Sequence, residues 1–210
     1  MPDQFENIEN RLLLETCIEV GATFHFRSNW QMYVWVGDLA RVLVALGDKA
    51  VIIGFESCDF SGRYIHPRLD FNDTFYPSAS TDEAAEEVST WVEDEPDMFV
   101  MVFLKMEEQT EVDGVDRTDG PGPMRLLLET AIGERAKFEY KGDWRISLWI
   151  GDVSRVLRLI EDDVRVLNTT TGQFANSSEL SAMQSSEDVH DLVAGLAKDQ
   201  PDLFLELHLE

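Results

Sequence analysis

Positive charge is scarce in this chain. Lys plus Arg number 17 against 41 Asp plus Glu, and the net charge is −24. Only five residues are lysine, at 49, 105, 137, 141 and 198. Such a surface repels the phosphates of nucleic acid and of anionic lipid, so direct binding to either is not expected. It suits a strongly solvated protein in a salt-rich cytoplasm, where counter-ions screen self-repulsion. It also suits an acidic sequestering protein that offers its surface to a basic partner, as a nucleic-acid mimic or an immunity-like inhibitor does.

Cysteine is nearly absent. Cys17 and Cys58 are too few for a disulfide framework and read as free thiols of a cytoplasmic protein. Long apolar runs are missing as well. No stretch of about 18 apolar residues is present to span a bilayer, and no apolar leader opens the chain, so no membrane association is expected.

Signatures of chemistry are missing too. The sequence has no phosphate-cradling glycine loop, no HExxH and no GxSxG. The four histidines, at 25, 66, 190 and 208, lack metal-ligand spacing. His190 and Asp191 are neighbours on a helical stretch and point apart. The expectation is therefore no enzyme, no cofactor and no metal.

What the chain does have is one stretch used twice. Arg11–Ile53 and Arg125–Leu167 share Arg-Leu-Leu-Leu-Glu-Thr at their starts, Trp30 with Trp144, Trp35 with Trp149, and Gly37-Asp38 with Gly151-Asp152. The offset is constant, 152 − 38 = 114. This reads as a tandem duplication of a unit of about 100 residues.

Periodicity gives each copy the same elements. Leu12, Leu13 and Cys17 fall at helical spacing, and Gly21 ends that helix. Alternation then marks a hairpin, with Ser28-Asn29 or Gly142-Asp143 at its turn and Trp30 or Trp144 opening the return strand. His25 and its counterpart Glu139 fall on the polar side of the first hairpin strand. A second helix starts near Asp38 and Asp152, read as N-caps. A strand follows from 50 or 164, and each copy closes with a helix and a strand. Ser80 with Glu83 marks one such helix start. Met98–Leu104 is apolar on both faces, as in a covered strand, whereas the alternation of Leu203–Glu210 leaves one polar face. The fold class expected is α+β, each copy running α-β-β-α-β-β-α-β, with mostly antiparallel sheet and helices packed on one face. The boundaries are 1–106, an acidic Gly/Pro linker at 107–123, and 124–210.

The copies diverge in one segment. The closing elements match at an offset of 201 − 96 = 105, so copy one carries nine more residues (114 − 105) within 57–80. That insertion is aromatic and reads as an extra strand or hairpin around 63–71. Aromatics and arginine favour binding hot spots. The function expected is therefore non-catalytic: a protein-binding or assembly protein contacting a partner through Tyr64, His66, Arg68, Phe71, Phe75 and Tyr76. Trp35 and Trp149 stand on the face opposite the hairpin's core face and are candidates for contact between the copies or in a homo-oligomer. One catalytic or ligand-binding alternative stays open. Asp38, Arg41, Asp152 and Arg155 could line a pseudo-two-fold cleft as acid, base and anion holder.

Overall fold

In the computed structural model the described residues are 8–27, 30–61, 64–73, 79–106, 122–172, 178–180 and 186–210. The protein mixes helix with antiparallel sheet and divides into two compact units. The first comprises residues 1–25 and 30–117, the second 26–29 and 118–210.

Unit 1 runs α1 (Ile8–Glu19), β1 (Thr23–Arg27, its last two residues counted with unit 2), β2 (Gln31–Trp35), α2 (Val36–Leu46), a 3-10 turn (Gly47–Lys49), β3 (Ala50–Ser61), β4 (Tyr64–Asp73), α3 (Thr81–Asp94) and β5 (Phe99–Met106). Its strands lie in the order β4-β3-β5-β2-β1. The last strand made is thus a central one, between β2 and β3. Leu13, Leu14, Phe24, Val34, Leu39, Leu43, Ile52 and Val100 are all essentially inaccessible and form the core. The helical spacing of the leucines and the alternation of the strands put these positions on inner faces. Helix α3 starts at a capping box, with Ser80 Oγ accepting from the Glu83 amide and the Glu83 carboxylate accepting from the Ser80 amide.

Unit 2 runs α4 (Gly122–Gly133), β6 (Phe138–Lys141), β7 (Ile146–Trp149), α5 (Ile150–Leu157), β8 (Val166–Gly172), β9 (Ser178–Leu180), α6 (Ser186–Asp199) and β10 (Phe204–Leu209). Its strand order is β6-β7-β10-β8-β9. Here too the final strand is central.

The structure corrects four expectations. Trp30 (φ 60°) and Trp144 (φ 58°) are turn residues in the left-handed region, not the first residues of the return strands. Their rings lie under Arg11 and Arg125, each guanidinium 5.9 Å from the ring centroid, which favours this placement. His25 is not on a solvent face: it is 1% exposed, with its ring edge-on to Phe99 at 4.7 Å. Met98–Leu104 is not covered throughout, because Phe103 is 40% exposed. Conversely, the polar face of β10 is not wholly solvated, since Glu206 is buried.

A β-bulge occurs at matching places. The β3–β5 register pairs Ile52 with Leu104 and Gly54 with Phe103, leaving Ile53 as the extra residue. The β8–β10 register pairs Val166 with Leu209 and Asn168 with His208, leaving Leu167 extra. Both extra residues are large aliphatics that reach solvent, as a bulge re-aims the side chain it adds.

Candidate functional site

Asp38 and Asp152 do not cap helices through their side chains. The strand runs straight into the helix at Trp35 and Trp149, which occupy the cap positions without a side-chain bond. Each aspartate sits three residues further on, where its carboxylate works as a clamp. Asp38 Oδ2 accepts from the Thr23 amide at 2.6 Å, and Oδ1 accepts from Arg41 Nη2 at 2.7 Å and Nε at 3.1 Å. Arg41 donates onward to the carbonyls of Val20 and Gly21. In unit 2, Asp152 Oδ2 accepts from the Lys137 amide at 2.9 Å and Oδ1 accepts from Arg155 Nη2 at 2.7 Å. Arg155 also donates to the carbonyl and carboxylate of Glu134. One carboxylate thereby fixes a helix start to a strand start, and its arginine satisfies the carbonyls ending the preceding helix. Both oxygens of each aspartate are engaged in holding the fold.

Trp35 and Trp149 likewise act inside their own units. Trp35 Nε1 donates to the Pro96 carbonyl at 2.7 Å, and Trp149 Nε1 to the Pro201 carbonyl at 2.8 Å. Each indole lies over the glycine two residues on. A Cβ at Gly37 would stand 2.5 Å from the Trp35 ring, and one at Gly151 2.4 Å from the Trp149 ring. The ammonium of Lys137 lies 4.7 Å from the Trp149 centroid.

The divergent segment forms most of a hairpin. β3 and β4 pair antiparallel, with Ser57 opposite Arg68, Asp59 opposite His66, and Ser61 opposite Tyr64. Tyr64, His66, Arg68 and Phe71 are thus carried on one strand, the outermost of the sheet. Phe75 and Tyr76 lie outside the described residues.

A cluster missed in the sequence occupies one face of the unit 2 sheet. Cross-strand register puts Glu139, Ser147, Glu206 and Thr170 side by side on β6, β7, β10 and β8. Glu139, Ser147 and Glu206 are buried. Arg145 grips Glu206 through Nε at 3.0 Å and Nη2 at 3.1 Å, and His208 stands 3.7 Å from the same carboxylate. Lys141 Nζ is 3.4 Å from Glu139. Burial pushes the Glu139 carboxyl up to about 7, against the opposing pull of Lys141. Burial also acts to raise Glu206, but the paired hydrogen bonds and charge of Arg145 outweigh it and hold that carboxyl below the usual range.

The equivalent face of unit 1 is less charged, with His25 at the position of Glu139 and Glu56 opposite Met101. Tyr33, Cys58 and Phe99 cluster there, with Trp35 and Met101 against them. Tyr33 stands where unit 2 has Ser147 (147 − 33 = 114), and Met101 where it has Glu206 (206 − 101 = 105). These paired exchanges at alternate strand positions were the available signal.

Among the described residues no group of three or more His, Cys, Asp or Glu could hold a metal ion, and no helix is long and apolar enough to cross a membrane. No protein-family model, curated protein or solved structure matches this chain.

Proposed function

We propose that this is a non-catalytic protein-binding or assembly protein, built from two units that descend from a tandem duplication. Unit 1 makes the contact through the aromatic-rich hairpin of β3 and β4. The observation that carries this reading is the position of β4: ten residues bearing Tyr64, His66, Arg68 and Phe71 form the outermost strand of the sheet. An outer strand offers backbone donors and acceptors to an extended partner, and aromatic side chains add affinity. The shared order of elements, the two Asp–Arg clamps and the two tryptophan locks support a common ancestor. The same clamps weigh against the cleft alternative, since Asp38 and Asp152 are engaged in structure.

The test replaces Tyr64, Phe71 and Tyr76 together with alanine. Co-purification of the partner should be lost while the circular dichroism spectrum and melting midpoint stay near those of the parent. Retention of the same partners by the folded triple variant overturns the reading.

A further inference from the structure

The closing strands β5 and β10 enter slots of the same register. In unit 1, Val34 of β2 pairs with Val100 of β5, and Glu56 of β3 pairs with Met101. In unit 2, Leu148 of β7 pairs with Leu205 of β10, and Thr170 of β8 pairs with Glu206. The shifts are the same in both pairs: 148 − 34 = 114 with 205 − 100 = 105, and 170 − 56 = 114 with 206 − 101 = 105. Alternate residues of both closing strands are aliphatic, Val100, Val102 and Leu104 in β5 and Leu205, Leu207 and Leu209 in β10. Register and aliphatic row therefore let either strand enter either slot. A chain of two like units faces that exchange whenever both closing strands are free, and misassembly of this kind is the characteristic failure of repeat proteins.

The remaining alternate residues differ in charge. β10 carries Glu206, and Glu210 follows its last residue, where β5 carries Met101 and Lys105. The native neighbours match. Glu206 is 5% exposed, is gripped by Arg145 and stands beside Ser147 and Thr170. Glu210 and Arg165 exchange both backbone hydrogen bonds, so opposite charges face each other there. Lys105 faces the uncharged Val51. In the wrong slot these matches become conflicts. Glu206 in the place of Met101 would face Glu56, with Gln31 standing where its arginine should be (145 − 31 = 114). Lys105 in the place of Glu210 would face Arg165. Like charges directly opposite oppose a strand pair. A buried carboxylate without its partner is strongly unfavourable.

We propose that these charges sort the closing strands, admitting β5 to the slot of unit 1 and β10 to that of unit 2. The inference goes beyond the binding role and does not depend on it. Glu56 keeps β10 out of unit 1, Arg165 disfavours β5 in unit 2, and Arg145 holds β10 in its own slot. Arg165 and Lys105 are exposed, so water and salt weaken that contact. The buried Glu206 carries most of the discrimination.

Cys58 supplies a reporter for the test. It faces Phe99, whose counterpart on β10 is Phe204 (204 − 99 = 105). Phe204→Cys therefore brings a second thiol opposite Cys58 when β10 occupies the slot of unit 1. The full chain is unfolded in urea, refolded by dilution with oxidised glutathione and digested. Mass spectrometry then measures the fraction in which Cys58 is linked to the thiol introduced at position 204, within one chain or between two. Circular dichroism confirms that each variant is folded.

With the charges otherwise native, the link should be scarce. Adding Glu206→Met and Glu210→Lys gives β10 the charges of β5, and the linked fraction should rise several-fold. Adding Glu56→Lys instead changes only the slot, turning repulsion of Glu206 into attraction, and should also raise it several-fold. A linked fraction that stays at the Phe204→Cys level in either folded variant overturns the proposal. So does a Phe204→Cys chain that links in full with its native charges. Where the strand variant fails to fold, the slot variant decides.

Discussion

The indole of Trp149 packs against Gly151, so near that an added Cβ would stand 2.4 Å from the ring. Trp35 treats Gly37 the same way at 2.5 Å. Each ring is also held by its N–H to a carbonyl beside the last strand of its unit. The glycines are therefore required for space, although each sits in a helix, where glycine is otherwise unfavourable.

Gly37→Ala and Gly151→Ala should each destabilise the protein by about 1–3 kcal/mol, the usual cost of overpacking a fitted contact. Gly195, exposed in α6 with nothing within 4 Å of an added Cβ, supplies the control. Gly195→Ala should stabilise by roughly 0.5–1 kcal/mol. Urea midpoints check both signs, and a neutral Gly37→Ala would show that the ring moves aside freely.

Removing the clamp should cost more at the carboxylate than at the guanidinium. Asp38→Ala strands the Thr23 amide and frees Arg41, a loss of about 1.5–3 kcal/mol for hydrogen bonds to a charged group. Arg41 is nearly half exposed, so water can replace much of what it gives in Arg41→Ala. The same order should hold for Asp152 and Arg155. Equilibrium unfolding of the four variants decides it.

Stability should fall as pH rises from about 4.5 to about 7. Across that window the native state keeps the Glu139 proton while the unfolded chain, with the ordinary value of 4.5, has lost it. The native state therefore binds more protons, and its stability declines with rising pH. The contribution is fully present below the unfolded value and lost as pH passes the folded one. A rise from 4.5 to about 7 corresponds to ~3 kcal/mol at most. Glu139→Gln should flatten this part of the curve. Glu206, held below its ordinary value by Arg145, contributes in the opposite sense, with stability lost as pH falls below about 4.5. Urea midpoints at pH 5, 6, 7 and 8 for parent and variant test the first claim. An identical slope in both would remove Glu139 as its source.

Neither cysteine should react in the native state. Cys17 and Cys58 form no disulfide and are fully buried, and burial above all pushes the Cys17 thiol far above its ordinary value. Iodoacetamide labelling followed by intact-mass measurement should show no adduct without denaturant and two with it.

The order of elements was legible in the sequence because each element is written locally, in leucines at helical spacing and in alternating strands. The clamp and the lock were not. Asp38 finds its amide 15 residues back in Thr23, and Trp35 finds its carbonyl 61 residues on in Pro96. An aspartate near a helix start has the same letters whether it caps that helix or ties down a strand. His25 failed for a related reason: alternation tells which face a residue takes, not whether that face is covered. The charged row of unit 2 was hidden in another way, because Glu139, Ser147 and Glu206 become neighbours only through strand register.

The place of the last strand has a consequence for how a unit comes into being on the ribosome. β5 is made after β1 to β4 yet lies between β2 and β3, and β10 enters between β7 and β8. Until it emerges, the earlier strands of the unit are separate hairpins with open inner edges, and the first half is held by its own helix packing and by the clamp at Asp38 or Asp152. Each unit is therefore sealed from its carboxyl end. A nascent chain that pauses just short of β5 presents two bare strand edges to whatever is nearby.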